Sequence, residues 1–563
     1  MSSIRRTRSA WLAALATLAA GFADAGLRAQ EETARESVDS AGNQANDDSW
    51  RPELSSDGLV VAFDSPATNL VAGDTNGQTD CFVRDRVTGI VELVSVDSSG
   101  TQGDAMSEEP RLSADGRFVV FTSFATNLVA GDTNGHYDAF VHDRVTGVTE
   151  RVSVDSSGVE GDGDSAADSI SSDGNLVLFQ SLATQLVAGD TNGAEDLFVR
   201  DRAAGTTTRV SLDSNGAEAH SSSWAGRMTP DGRSIAFTSS AANLVKYDSN
   251  GVTDVFHRDL ATGVTTRVSV DSSGTQGNSY SFMEGMSSDG RWIVFSSTAT
   301  NLVAGDTNGH YDVFLHDRSN GVTERVSIGP YGAQGDWDSS DGAVSDDGSL
   351  VAFSSGSTKF VAGDTNNACD VFLRDRNVGR TRLVSVASDG TQGDDISDAP
   401  ALSADGSVVA FESVATTLVQ GDTNAVPDIF SHELCLSPAT WSNYGSGWPG
   451  THGVPAFTSS KPPQFGAFVI VQADNSSGVA TTGMLFLGFQ RANITTTKGG
   501  DLLVVPALVA PVAIPTTAFK AWGTIPDNDA FCGVVCDLQV LELDPGASQG
   551  VSFTAGLELV IGR

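Results

Sequence analysis

The stretch "ATNLVAGDTNGHYDAFVHDR" (Ala125–Arg144) returns almost unchanged as "ATNLVAGDTNGHYDVFLHDR" (Ala299–Arg318). Its centre is an acidic, Gly-punctuated turn set inside a strand-like run. The Asp of this "GDTN" or "YDSN" turn recurs at Asp74, Asp132, Asp190, Asp248, Asp306, Asp364 and Asp422, at a constant step of 58 residues. An "S-x-D-G" marker keeps the same step through Asp57, Asp115, Asp173, Asp231, Asp289, Asp347 and Asp405. Seven copies without an insertion indicate one closed structural unit repeated seven times.

Each copy holds four strand-like runs. In the second, "EPRLS" precedes the "ADG" turn and "RFVVFTS" alternates apolar and polar residues. "DAFVHDR" follows the acidic loop, and "VTERVSVDS" follows a "VTG" turn. Period-two alternation with β-branched enrichment marks strands and excludes helical repeats. Four antiparallel strands per copy is the arithmetic of a propeller blade. The seventh copy runs into Cys435 without a fourth strand. "TARESVDSAG" (Thr33–Gly42) precedes the first copy and lies 116 residues before "TERVSVDSSG", in register. The expected fold is all-β: a closed seven-bladed propeller whose N-terminal strand completes the last blade, followed by a β-sandwich-like domain.

The recurring "S-x-D-G-x-x-x-x-F-x-S" core resembles the PD40, or TolB-like, WD40-like propeller repeat over residues 33 to 435. The resemblance implies that the strand before "S-x-D-G" lines the central channel, that the last strand is outermost, and that the propeller binds proteins or other ligands rather than catalysing. The Pro of the family's "SPDG" occurs once, at Pro230, and the long "GDTNG" loop departs from the short TolB blade, so TolB's own partners are not carried over.

A formal charge of −38 argues against nucleic acid or an anionic membrane as partner, since both need a basic surface. Basic "MSSIRRTRS", apolar "AWLAALATLAAGFA" and the small-residue "ADA" (Ala23–Ala25) read as an export signal over 1–30. No later stretch reads as a transmembrane helix. The expected protein is therefore secreted, periplasmic or on a bacterial cell surface, and monomeric. Five cysteines do not make a disulfide scaffold, but Cys532 and Cys536 are close enough in sequence to pair.

"D-T-N-G-x-x-D" spaces hard oxygen donors around a tight turn, as calcium loops do, though without the EF-hand's terminal Glu. The candidate ligands are Asp74, Asn76 and Asp80; Asp132, Asn134 and Asp138; Asp190, Asn192 and Asp196; Asp248, Asn250 and Asp254; Asp306, Asn308 and Asp312; and Asp364, Asn366 and Asp370. The competing reading is an Asx-turn followed by a left-handed Gly, with the second Asp bonded within the loop. In the sixth and seventh copies Asn367 and Ala425 replace that Gly.

Selectivity is sought where copies differ, in the column Trp50, Glu108, Ala166, Trp224, Phe282, Ser340 and Asp398, just before the inner strand. With its neighbours this yields Trp50, Arg51, Glu108, Trp224, Tyr280, Phe282, Trp337 and Asp338 as candidate ligand contacts: aromatics to stack on sugars or anchor a peptide, carboxylates beside them. Filling gaps between unequal blades is the competing role. "RDR" triplets read as a cross-blade salt-bridge ladder. No H-E-x-x-H, G-x-S-x-G or P-loop is present, and no residue stands out as catalytic.

Beyond Cys435 the propeller (31–435) gives way to a C-terminal domain (436–563). There "AFVIVQA", "TGMLFLGF", "DLLVVPALV", "DLQVLEL" and "VSFTAGLELVIG" read as strands. "GSGWPGTHGVPAF" and "LELDPGASQGVSF" resemble C-terminal β-domains of secreted planctomycete-type proteins and assign no activity. The expected function is non-enzymatic binding or scaffolding of a protein or carbohydrate ligand. The alternative is an extracellular polysaccharide hydrolase or lyase with acidic residues at the channel mouth.

Overall fold

The "S-x-D-G" marker builds one turn seven times. In the first copy the Ser55 hydroxyl donates to Asp57 (2.6 Å) and accepts the Val60 amide (3.0 Å). Gly58 sits at φ 68°, and a Cβ there would lie 2.9 Å from Val408 Cγ2 of the seventh copy. Gly is needed both for the left-handed turn and for the neighbour's approach.

The computed structural model describes residues 32–434, 437–465, 467–498, 500–525 and 531–562. The expected export signal and Cys435 lie outside them. The chain divides into two compact units, one of Glu32–Leu434 and one containing residues 435–563. Among the described residues no helix is long and apolar enough to cross a membrane.

The first unit is a propeller-like, all-β array of four-stranded antiparallel sheets, seven among the described residues. The second sheet is representative: an inner strand Ser107–Leu112, then Phe118–Ser123, Asp138–Asp143 and an outer strand Val148–Arg151. Its two central strands pair Phe121 with Phe140, whose rings stack at 5.7 Å, and the same Phe pair recurs in every sheet. The outer strand is shorter than the sequence suggests, and Val154 instead bridges Glu160 in the following loop.

The seventh sheet takes its outer strand from the start of the chain. Thr33–Arg35 pairs with Asp428–Glu433, with Thr33 opposite His432 just as Thr149 stands opposite His142. Consecutive sheets share hydrophobic clusters. Leu54, Val61 and Phe63 of the first sheet share theirs with Val408, Ala410 and Ile429 of the seventh. A polar ladder runs alongside: Arg144 pairs with Glu92, Arg202 with Glu150 and Arg376 with Glu324, each on the preceding sheet's outer strand. At the seam, where that column holds Ala34, Arg86 pairs instead with Glu36 (2.8 Å), one residue beyond the outer strand.

In the second unit, a larger sheet built around Thr481–Gly488 and Val535–Leu543 shares one core with a three-stranded sheet of Phe457–Ser459, Phe468–Asp474 and Ala518–Thr524. "DLLVVPALV" contains a break, and strands end at Val504 and begin at Leu508 on either side of Pro506. The stretch read as irregular loops carries strands Thr440–Tyr444 and Phe457–Ser459. The two quoted motifs dock on each other: Thr451 donates from its amide and hydroxyl to Asp544 (both 2.6 Å), and Trp448 bridges Phe553. The expected Cys532–Cys536 bond is not formed. Cys532 is disulfide-bonded, but Cys536 is a free thiol. Cys536 alternates with Leu538 and Val540 on the core face of one strand, and burial pushes its thiol up to about 12.

Candidate functional site

The acidic loops fix the array before they can serve any ligand. Asn76 accepts the Gln78 amide and donates to Asp80 (2.8 Å), while Gly77 takes φ 64°. Asp80 is fully buried and accepts the Ser95 hydroxyl (2.6 Å), which pins the loop to the sheet's last turn. The corresponding Ser–Asp bond forms in all seven copies, through Ser37, Ser153, Ser211, Ser269, Ser327 and Ser385 in the others. That Ser was not singled out in the sequence.

A cation already sits between the two Asp residues in five copies. Arg151 contacts Asp132 (3.2 Å), Asp138 (3.0 Å) and Glu160 (2.8 Å). Arg209, Arg267, Arg325 and Arg35 repeat the arrangement on Asp190/Asp196, Asp248/Asp254, Asp306/Asp312 and Asp422/Asp428. In the first and sixth copies the position is Leu93 and Leu383. There Gln102 donates to Asp74 and Asp80 (2.7 and 2.8 Å), and Gln392 to Asp364 and Asp370 (3.0 and 2.9 Å). Burial pushes Asp80 and Asp370 up to about 6, and Asp132 up to about 6 even with Arg151 beside it. Among the described residues no group of three or more His, Cys, Asp or Glu is placed to hold a metal ion.

The inner strands of all seven sheets, with their "S-x-D-G" turns, line one cavity of about 470 Å³. Each inner strand carries a bulge. In five sheets it places a non-glycine residue in the left-handed region: Arg51 (φ 54°), Glu109 (57°), Ala225 (52°), Asp341 (56°) and Ala399 (48°). Each such residue costs about 1–3 kcal/mol, and strain of this kind gathers at functional sites. In the third and fifth sheets the bulge is narrower, and the extra residue is Asp168 or Glu284. Other copies have Pro or Gly in that column, at 52, 110, 226, 342 and 400.

The cavity is chemically lopsided. Arg111 and Arg227 both approach Glu53 (3.3 and 3.8 Å), and Arg51 reaches Asp64 and Glu108 (2.9 Å each). The column holding Glu53, Arg111 and Arg227 continues on the far side as the small, uncharged Gly285, Ala343 and Ala401. Burial pushes Asp168 and Glu284 up to about 8, which favours their neutral, hydrogen-bond-donating forms. Asp168 Oδ2 is buried without a partner.

Of the residues expected to touch a ligand, Arg51 lines this cavity. Glu108 is held by Arg51. Trp50 and Trp224 are half-buried at the strand ends, Phe282 lies against Tyr311, and Tyr280 is exposed. Trp337 is exposed beside His310, whose Nδ1 pairs with Asp338 (3.1 Å). Sequence reasoning missed Asp168, Glu284, Arg111 and Arg227. The signal available was the column in which two carboxylates interrupt Pro and Gly.

No family profile and no curated protein matches the chain. Among solved structures it is similar to a TolB-type protein from Agrobacterium tumefaciens (16% identity, TM-score 0.32, covering 50% of this chain and 80% of that one). It is also similar to the extracellular domain of a hybrid two-component system from B. thetaiotaomicron (9%, TM-score 0.35, 79% and 46%) and to a GH74 enzyme from Niastella koreensis (11%, TM-score 0.21, 90% and 81%). The chain spans less than half of the second of these. Likeness at this level assigns no activity, ligand or partner.

Proposed function

We propose that this chain is a secreted, monomeric, non-enzymatic binding or scaffold protein. On this reading its seven sheets form a closed seven-bladed propeller, residues 1–30 direct export, and a β-sandwich follows. The ligand is a protein or glycan seated in the central channel. One observation carries the reading: a single cavity bounded by all seven inner strands, five of which hold strained left-handed residues at its wall. Strain on a closed ring that already has ample packing favours a role in recognition.

A binding screen over secreted peptides and glycans tests it, with Arg111→Met/Arg227→Met compared against Trp50→Ala/Trp224→Ala. The channel pair is expected to weaken the ligand found by at least about tenfold. A ligand indifferent to both pairs would move the site off the channel. The enzyme alternative draws support from Asp168 and Glu284, neutral carboxyls of the kind a general acid requires. Polymer turnover abolished by Glu284→Gln with binding intact would favour it. A structural calcium ion, on the same reading, belongs only to the first and sixth loops, where no arginine fills the Asp pair. Calcium is expected to raise Tm over chelator in the wild type but not in Leu93→Arg/Leu383→Arg; an unchanged wild-type Tm removes it.

A further inference from the structure

Four carboxyl groups follow one another on the fifth to seventh sheets, and the first two, Glu284 and Asp341, line the cavity. Glu284 accepts the Asp341 amide and the Ser296 hydroxyl (2.6 Å). Asp398 lies within electrostatic reach of Asp341. Asp398 also stands opposite Glu412 in the strand pair, and the two carboxyls share a hydrogen bond. Glu412 then accepts the Arg51 amide (3.1 Å). Cations stand only at the ends of this arc: Arg227 beside Glu284, and Arg51, whose guanidinium is already held by Asp64 and Glu108. The inner strands between them, "SFMEGM", "SSDGAV" and "SDAPAL", contain no Arg, Lys or His.

A second, independent feature lies in the same sector. Ser354 is 1% exposed and its hydroxyl has no hydrogen-bond partner. It occupies the column of Asp64, Thr122, Gln180, Thr238, Ser296 and Glu412. Five of those side chains accept the bulge amide of the next inner strand: Asp64 from Glu109, Thr122 from Ala167, Gln180 from Ala225, Thr238 from Met283 and Glu412 from Arg51. Ser296 serves Glu284. By that geometry Ser354 points at the next sheet's inner strand, beside Asp398, with its hydrogen-bonding capacity unused. Exposed Tyr280 and Trp337, on the segments that lead into the fifth and sixth inner strands, add aromatic faces to the sector.

We propose that this arc binds an organic cation, a primary ammonium or guanidinium group on a basic peptide segment, seated among Glu284, Asp341, Asp398 and Glu412 with the Ser354 hydroxyl as a further acceptor. The proposal rests on the reading of the channel as the ligand platform and supplies the partner's chemistry. A small metal ion fits less well, because among the described residues no group of three or more His, Cys, Asp or Glu is placed to hold one. Spread carboxylates flanked by aromatic faces suit an organic cation that offers several hydrogen-bond donors at once. The charge of −38 steers such a partner inward.

The proposal fixes the sign of the pH dependence. Burial pushes Glu284 and Glu412 up to about 8. Glu284 faces Asp341 and Arg227; Glu412 faces Asp398, Asp64 and the Arg51 amide. A cation favours their ionised forms, so binding releases protons and tightens as pH rises through 8.

Calorimetry on the full chain with pentalysine, and with the same peptide acetylated on every side-chain amine, tests the site at pH 6.5 and 8.5. Only the charged peptide is expected to bind, and more tightly at pH 8.5. Asp341→Asn and Asp398→Asn are each expected to weaken it at least about tenfold. Asn tolerates the left-handed backbone at 341, so folding is preserved there. Asp213→Asn and Asp271→Asn, on outer-strand turns, are expected to change it less than about twofold. Equal loss in the outer-strand variants would reduce the effect to a diffuse acidic field and overturn the proposal, as would absent binding or tighter binding at pH 6.5. Should another ligand respond to Arg111→Met/Arg227→Met while pentalysine does not bind, the cation site falls and the channel reading stands.

Discussion

A chain that begins at Asn46 is expected to lose the cooperative unfolding transition of the first unit, or to show it at a Tm lower by at least about 10 °C. The deleted segment supplies everything that the outer strand gives elsewhere. Arg35 fills the Asp422/Asp428 pair, the Ser37 hydroxyl donates to Asp428 (2.5 Å), and Gln44 donates to both carboxylates. Glu36 closes the ladder onto Arg84 and Arg86. Without it two buried carboxylates lack a cation and Arg84 lacks its acid, while Arg86 keeps Glu433 (3.4 Å), and leaving one buried partner unpaired costs about 3–5 kcal/mol. The strand Asp428–Glu433 would also become a free edge, which invites aggregation. A synthetic peptide of residues 32–47 added in excess is expected to recover part of the loss by mass action. An unchanged melt would mean that the seam does not hold the ring.

Arg151→Leu is expected to destabilise the protein by about 3–5 kcal/mol at pH 7, because Asp132, Asp138 and Glu160 all rely on that guanidinium. Most of this should return in Arg151→Leu/Glu160→Gln, which rebuilds the first copy's Leu93 and Gln102. Glu160→Gln alone should cost under about 1 kcal/mol, since Gln276 and Gln334 already accept from arginine in the fourth and fifth copies. The expected coupling between the two positions is therefore at least about 2 kcal/mol, read from chemical denaturation of the four proteins. The pH dependence follows from the burial of the loop carboxyls, which raises Asp80 and Asp370 to about 6 where arginine is lacking and Asp132 to about 6 even beside Arg151. A carboxyl whose folded pKa is raised favours the folded state when protonated. The Arg151→Leu deficit should therefore shrink as pH falls through 6 and be largest above it. A deficit independent of pH, or a double variant no better than the single one, would detach the loops from this charge balance.

The repeat made most of the first unit legible. "S-x-D-G" marks a turn because Ser, Asp and Gly each carry a distinct bond or backbone angle in it. The 116-residue step located the strand that pairs with Asp428–Glu433 to the residue. The cavity wall was harder to read. A bulge shifts the alternation within each inner strand, so simple period-two reading reaches Trp50, Arg51 and Trp224 but stops short of Asp168 and Glu284, two columns beyond Trp50. Cys536 shows the same limit from another side. Spacing in "CGVVC" allowed a bond that strand alternation forbids, because Cys536 faces the core with Leu538. In the acidic loops, the spacing that resembles calcium ligands also suits a bound guanidinium, and the deciding residue lies in a different strand.

The seam is tested most directly by amide hydrogen exchange across residues 33–45. The Glu36 amide bonds Ile429 O (2.7 Å) and the Ala45 amide bonds Ser37 O (3.0 Å), as Val152 bonds Ala139 O (2.8 Å) and Gly161 bonds Ser153 O (3.3 Å) two copies on. Protection of 33–45 equal to that of 149–161 is the predicted result. Exchange of 33–45 at the rate of an unstructured peptide, with 149–161 protected, would contradict a ring locked by its N-terminal strand.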